Sequence, residues 1–168
     1  MIDDVARSRS GMTKWTAALA ALAPSIAASV LGGLATTPNI PGWYAALQKP
    51  WFNPPNWIFG PVWTALYLII AYAFFRILRL PANTPGRTVA IGVYLAHMIL
   101  NTVWSFAFFA AHSPALGLAV ILPLWAGIVV TVVLFSRLDR IAAWLLAPYL
   151  AWVSFAVLLN SAIWRLNG

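Results

Sequence analysis

The sequence predicts an all-α fold, an integral membrane bundle of five transmembrane helices. Three observations predict it. Of the 168 residues 62% are hydrophobic and 8% charged, with a mean hydropathy of +0.85, which lies far outside the range of soluble globular domains. Formal charge is absent from four long runs, 15–48, 50–75, 88–136 and 141–164, and a spanning helix needs roughly 20 apolar residues. Proline, glycine and basic residues cluster where the helices should end, as helix punctuation does. By length the chain is one domain.

Residues 1–14 carry Asp3, Asp4, Arg7, Arg9 and Lys14 and read as a polar N-terminal tail. Residues 15–168 form the transmembrane domain. The first helix, about 15–37, has a basic front and an Ala-rich middle, like a signal peptide. Its apolar run exceeds the roughly 7–15 residues of a signal core, so it reads as a retained span. Ala17, Ala21, Ser25, Ser29 and Gly33 recur every fourth residue, a small-residue stripe suited to close helix packing. Pro38 should end this helix and open a long loop over 38–56.

The stretch Lys49–Tyr67 dominates the chain. The Pro54-Pro55 pair cannot lie inside a regular helix, since each ring removes an N–H and restricts the preceding residue. A second helix should therefore start near Trp57 or Ile58 and run to about 78, with Pro61 in its first turn, where a missing N–H costs little. The result is a stiff aromatic connection feeding Trp57, Trp63 and Tyr67 into an apolar helix. Pro81 to Gly86 reads as a turn. The third helix spans about 87–110, the fourth about 114–136 and the fifth about 141–166, with Pro148 placed to kink the last.

Eight basic residues (Arg7, Arg9, Lys14, Arg76, Arg79, Arg87, Arg137 and Arg140) fall on one side of this topology, and only Lys49 and Arg165 on the other. The positive-inside bias puts the N-terminus in the cytoplasm and the proline-rich loop outside. The net charge of +7 is then a topology and phospholipid-headgroup signal, with no nucleic-acid partner implied. A bacterial cell membrane is the expected location.

Conventional enzymology has little to work with. There is no cysteine and no glutamate. The three aspartates sit at membrane edges, and no paired carboxylates, activated nucleophile or metal cluster can be assembled. His97 is the one ionisable side chain expected within the membrane interior; it reads either as a packed histidine or as a ligand contact. What remains is aromatic and amide chemistry. His97, Asn101, Trp104 and Phe108 share one face of the third helix, and Tyr149, Trp152, Phe155, Ala156 and Asn160 one face of the fifth. Trp63 and Tyr67 lie four apart on the second. Two readings of these faces stand. Buried amides can act as interhelical glue, or the faces form an aromatic box with a few polar groups for a flat hydrophobic ligand.

The segments WYAALQKPWFNPPNWIFGPVWTALY (43–67), LNTVWSFAFF (100–109) and PYLAWVSFAVLLNSAIW (148–164), in this order, resemble the tryptophan-rich sensory protein / translocator protein family, the peripheral benzodiazepine receptor group. The resemblance covers about residues 15–167. It implies a five-helix bundle, often a homodimer, whose pocket binds porphyrins, haem-like tetrapyrroles and isoquinoline or benzodiazepine drugs. Matched by motif, Trp63 and Trp152 are the stacking residues and the candidates for light-dependent porphyrin chemistry. Asn101 is a polar group of the pocket, and Tyr44, Trp51, Tyr67, Trp104, Phe155 and Ala156 complete its lining. The sterol motif of animal members is incomplete, because Asn160 is followed by Ser161 and Ala162 where they carry a tyrosine. The resemblance also leaves an outer-membrane location open.

The expectation is therefore a membrane receptor or sensor for tetrapyrroles, with no required cofactor, no metal and porphyrin or haem as ligand. The alternatives are a light-dependent porphyrin-degrading enzyme, or a porphyrin or sterol transporter. Lys49 is the cation nearest the loop for a porphyrin carboxylate. Both the first-helix stripe and Gly92-xxx-Ala96 on the third helix offer a dimer contact, and the resemblance favours the third helix.

Overall fold

The computed structural model describes residues 12–168. Asp3, Asp4, Arg7 and Arg9 of the expected tail lie outside the described residues. Among the described residues there is no strand, and five helical spans are long and apolar enough to cross a membrane.

Helix α1 (Lys14–Thr36) is capped by Thr13, whose hydroxyl accepts the Thr16 N–H at 3.3 Å. It runs through Pro24 unbroken. Its buried face is Ala17, Ala21, Ser25, Ala28, Gly32 and Ala35, which corrects the four-residue stripe. At 3.6 residues per turn a strict period of four drifts around the helix, so Ser29 and Gly33 leave the packed face. Pro38 does not open the loop. It starts a 3-10 turn (Thr37–Asn39) that passes into a π-helical turn (Ile40–Tyr44). A helix start tolerates proline because the N–H is not needed there, so the first span is redirected, and the irregular stretch shrinks to 47–55.

Helix α2 (Asn56–Leu78) begins directly after Pro55. Pro61 therefore sits in its second turn, deeper than the sequence suggests. The left-handed Gly86 (φ 81°) opens α3 (Arg87–Ser105), which passes into a second π-helical turn over Phe106–Ala110. Helix α4 (Pro114–Leu138) is capped by the Ser113 hydroxyl. The fifth span is broken at Leu146 into α5 (Arg140–Leu145) and α6 (Ala147–Asn167), with Pro148 in the first turn of α6. Its missing N–H explains the break.

One end of the bundle gathers the basic residues and is latched by polar contacts. Arg76 pairs with Asp139 at 2.8 Å, and the same carboxylate accepts the Ile141 and Ala142 N–H groups that start α5. Buried Arg87 donates to the carbonyls of Ile77 and Leu78, where α2 runs out of intrahelical partners. Above this latch lies a filled core of Ile70, Phe74, Ile77, Tyr94, Phe135 and Leu146. Tyr94 stacks on Phe74 at 3.9 Å and on Phe135 at 6.1 Å. The opposite end has only a small cluster of fully buried residues, Tyr44, Phe108, Leu159 and Ile163.

Candidate functional site

In that second half the first, second, third and fifth spans enclose a cavity of about 440 Å³. Its roof comes from the two π-helical turns. A π turn inserts one residue and rotates the chain beyond it, which lets Phe108 and Phe109 both face the first span. Trp43 meets Phe108 edge-on at 5.4 Å, and Tyr44 lies 5.6 Å from Phe109. Tyr44 also donates to Asn53 Oδ1 at 2.8 Å, fastening the 47–55 stretch.

The wall is aromatic. From α2 come Phe59, Trp63 and Tyr67; from α3, Trp104; from α6, Trp152 and Phe155. Trp63 stacks on Tyr67 at 5.3 Å and meets Tyr149 edge-on at 6.3 Å. Trp152 is held between Phe59 (6.0 Å, edge-on) and Phe155 (5.6 Å, tilted). These contacts set the ring planes before any ligand arrives, and each such pair contributes about 0.5–1.5 kcal/mol beyond area burial.

The polar atoms form two short chains. The Tyr67 hydroxyl donates to Asn101 Oδ1 at 2.7 Å, and Asn101 Nδ2 donates to the Tyr149 hydroxyl at 3.1 Å. Trp104 Nε1 donates to Asn160 Oδ1 at 3.2 Å, and Asn160 Nδ2 donates to the Pro114 carbonyl at 2.7 Å. Both readings of the amides thus meet in the same residues, which tie helices together and line the cavity. The described indole N–H groups with protein partners are those of Trp104 and Trp125. Those of Trp63 and Trp152 have no hydrogen-bond partner among the described residues.

Of the residues expected from sequence, Tyr44, Trp63, Tyr67, Asn101, Trp104, Trp152, Phe155 and Ala156 line this one cavity. Two do not. Trp51 is 96% exposed. It occupies a turn closed by Asn53 N–H to the Pro50 carbonyl at 3.0 Å, and its neighbour Phe52 points inward instead, edge-on to Phe155 at 6.2 Å. His97 lies beneath the cavity floor. It is 1% exposed, with Nδ1 3.4 Å from the Thr131 hydroxyl and its ring against Tyr94 and Tyr149. One helical turn separates it from Asn101, and Tyr149 closes that gap. The packed reading of His97 is the one the geometry gives. Lys49 also turns away from the cavity; its ammonium donates to the Ala45 and Leu47 carbonyls and sits 4.8 Å over the Tyr44 ring. Among the described residues no cluster of metal-ligating side chains occurs.

Sequence reasoning missed the lining from α1. Ser29, Gly32, Gly33 and Thr36 face the cavity, although the stripe reads as pure packing. Small residues opposite a tryptophan-rich face leave volume rather than fill it, and that was the available signal.

The sequence model of the TspO/MBR family matches residues 20–165. The chain belongs to the TspO/MBR family. It is 40% identical to the tryptophan-rich protein TspO of Chlorobaculum tepidum over 80% of this chain and 86% of that one. It is 38% identical to the tryptophan-rich sensory protein of Cereibacter sphaeroides (74% and 77% covered) and 37% identical to the translocator protein of Homo sapiens (74% and 75% covered). As a TspO/MBR member with five apolar spans, it is a multi-pass integral membrane protein.

Proposed function

We propose that the cavity is the binding site of a membrane receptor for porphyrins and related tetrapyrroles, and for isoquinoline or benzodiazepine-type drugs of similar flatness. The supporting observation is the set of pre-oriented rings of Trp63, Trp152, Phe59 and Phe155 around one cavity of about 440 Å³, a volume within the roughly 300–1,000 Å³ usual for small-molecule sites. A macrocycle gains by stacking on indole faces, and the free N–H groups of Trp63 and Trp152 can orient its heteroatoms. With the amides already paired and no acid or base at the cavity, the arrangement favours binding over acid–base catalysis.

In this reading the N-terminus is cytoplasmic. Lys14, Arg76, Arg79, Arg87, Arg137 and Arg140 share the latched end, while Lys49 and Arg165 belong to the cavity end. The protein is a homodimer, and Gly92 and Ala96 are exposed on α3, where another helix can approach closely.

The test is titration of purified protein with protoporphyrin IX in the dark, followed by tryptophan fluorescence, and then illumination. Saturable quenching that weakens about tenfold or more in Trp63→Phe and Trp152→Phe, with a porphyrin spectrum stable under light, supports the receptor. A light-dependent product that needs these tryptophans would replace it with a photochemical enzyme. Net porphyrin movement into sealed vesicles would replace it with a transporter.

A further inference from the structure

The cavity has two boundaries of opposite character, and their contrast bears on how a ligand reaches it. Toward the aqueous end it is covered by a fastened stretch. Gln48 N–H donates to Asn167 Oδ1 at 3.0 Å, and Asn167 Nδ2 returns a bond to the Gln48 carbonyl at 3.0 Å. The last helix thus grips the cover by its backbone, as a neighbouring strand would. The Tyr44–Asn53 hydrogen bond and the Phe52–Phe155 contact add two more ties.

Between α1 and α2 the wall is thin. Ser29, Gly60 and Thr64 line the cavity and are exposed. No other side chain reaches within 4 Å of where a Cβ on Gly33 or Gly60 would sit. Outside this wall a groove of about 150 Å³ lies between the same helices, lined by Leu22, Ser25, Ile26, Ser29, Thr64, Tyr67 and Leu68. It shares Ser29, Thr64 and Tyr67 with the cavity. Ser25 is 3% exposed, and its hydroxyl lies buried beside that of Tyr94. All of these residues belong to membrane-spanning segments, so the surface they form faces hydrocarbon.

The geometry points to a lateral window between α1 and α2 through which a membrane-dissolved hydrophobic ligand enters the cavity from the bilayer, past Leu22, Ile26 and Leu68, while the aqueous cover stays shut. This inference rests on the receptor reading. Its ligand class is narrower: flat or chain-bearing molecules that partition into lipid and carry at least one hydrogen-bonding heteroatom. A water-soluble ligand of the same shape would have to pass the fastened cover instead.

The experiment is stopped-flow tryptophan quenching by protoporphyrin IX in liposomes, using the whole chain. Gly33→Leu combined with Gly60→Leu fills open space at the window, and Ile26→Trp obstructs the groove from its lipid side. Asn167→Ala loosens the aqueous cover. A plugged window slows entry and exit together, by about tenfold, whereas damage to a pocket speeds exit. Slowing in both directions by the two window changes, with rates unaltered by Asn167→Ala, is the expected result. Faster entry and exit in Asn167→Ala, with no slowing by either window change, overturns the window in favour of the cover. Absence of saturable quenching in the unmodified protein overturns the receptor reading itself, and the window falls with it.

Discussion

The two halves of the bundle are built from the same helices and the same kind of residues, yet one is filled and the other hollow. At the latched end, Phe135, Tyr94 and Ile77 are wholly enclosed, and charged side chains cap helix ends across spans. At the other end, tryptophans that could have filled the interior stand around a space. Two local devices produce the difference. The π-helical turns at Ile40–Tyr44 and Phe106–Ala110 push aromatic rings outward into a roof, and the small residues of α1 withhold volume from the wall opposite Trp63. Stability is concentrated in one half, which frees the other to stay open.

The strongest way to break this comparison is to hollow the filled half. Phe135→Ala should cost about 3–5 kcal/mol, because a fully enclosed ring leaves a cavity that its neighbours cannot collapse into. Thermal unfolding in detergent checks this, and a loss no larger than that of Trp152→Ala would erase the distinction between the halves. Gly117→Ala probes the junction. Its Cβ would meet Asn160 Oδ1 and Phe108 Cδ2 at 2.8 Å, so overpacking should cost about 1–3 kcal/mol and disturb the Trp104–Asn160 hydrogen bond. A normal unfolding temperature together with normal porphyrin quenching would count against it.

The latch gives a smaller effect. Asp139→Ala removes both the Arg76 partner and the cap of α5, at a cost of about 1–2 kcal/mol. Asp139→Asn keeps the cap and should recover part of that loss, as paired unfolding curves would reveal. The smallest effect sharpens the comparison from the other side. Lys49→Gln and Trp51→Ala should leave porphyrin affinity within about twofold, since neither side chain faces the cavity. A clear loss of affinity in fluorescence titration of either variant would mean that the cover rearranges around ligand.

How much of the site was legible depended on the residue. Trp63, Tyr67, Asn101, Trp104, Trp152, Phe155 and Ala156 were readable because each lies at helical spacing from another of the set, or in a segment whose family resemblance is specific. Trp51 and His97 were misplaced for different reasons. A turn sends consecutive side chains in different directions, and nothing local to Trp51-Phe52 says which one goes inward. On α3, His97 and Asn101 share a face, but a face says nothing about how far along the helix the cavity extends. That depth is set by Tyr149, which arrives from another span.

The sequence by itself determined the number of spans, their approximate limits, the basic end and the aromatic character of three helix faces. These come from hydrocarbon's demand for long uncharged helices with their backbone bonds satisfied internally. Only the tertiary structure decided which face of α1 packs, where the first span really ends, and that half of the bundle is hollow. In water an amphipathic pattern tells a helix which way to turn. In lipid the surroundings are as apolar as the core, so rotation is left to shape, and shape becomes visible only when the helices are together.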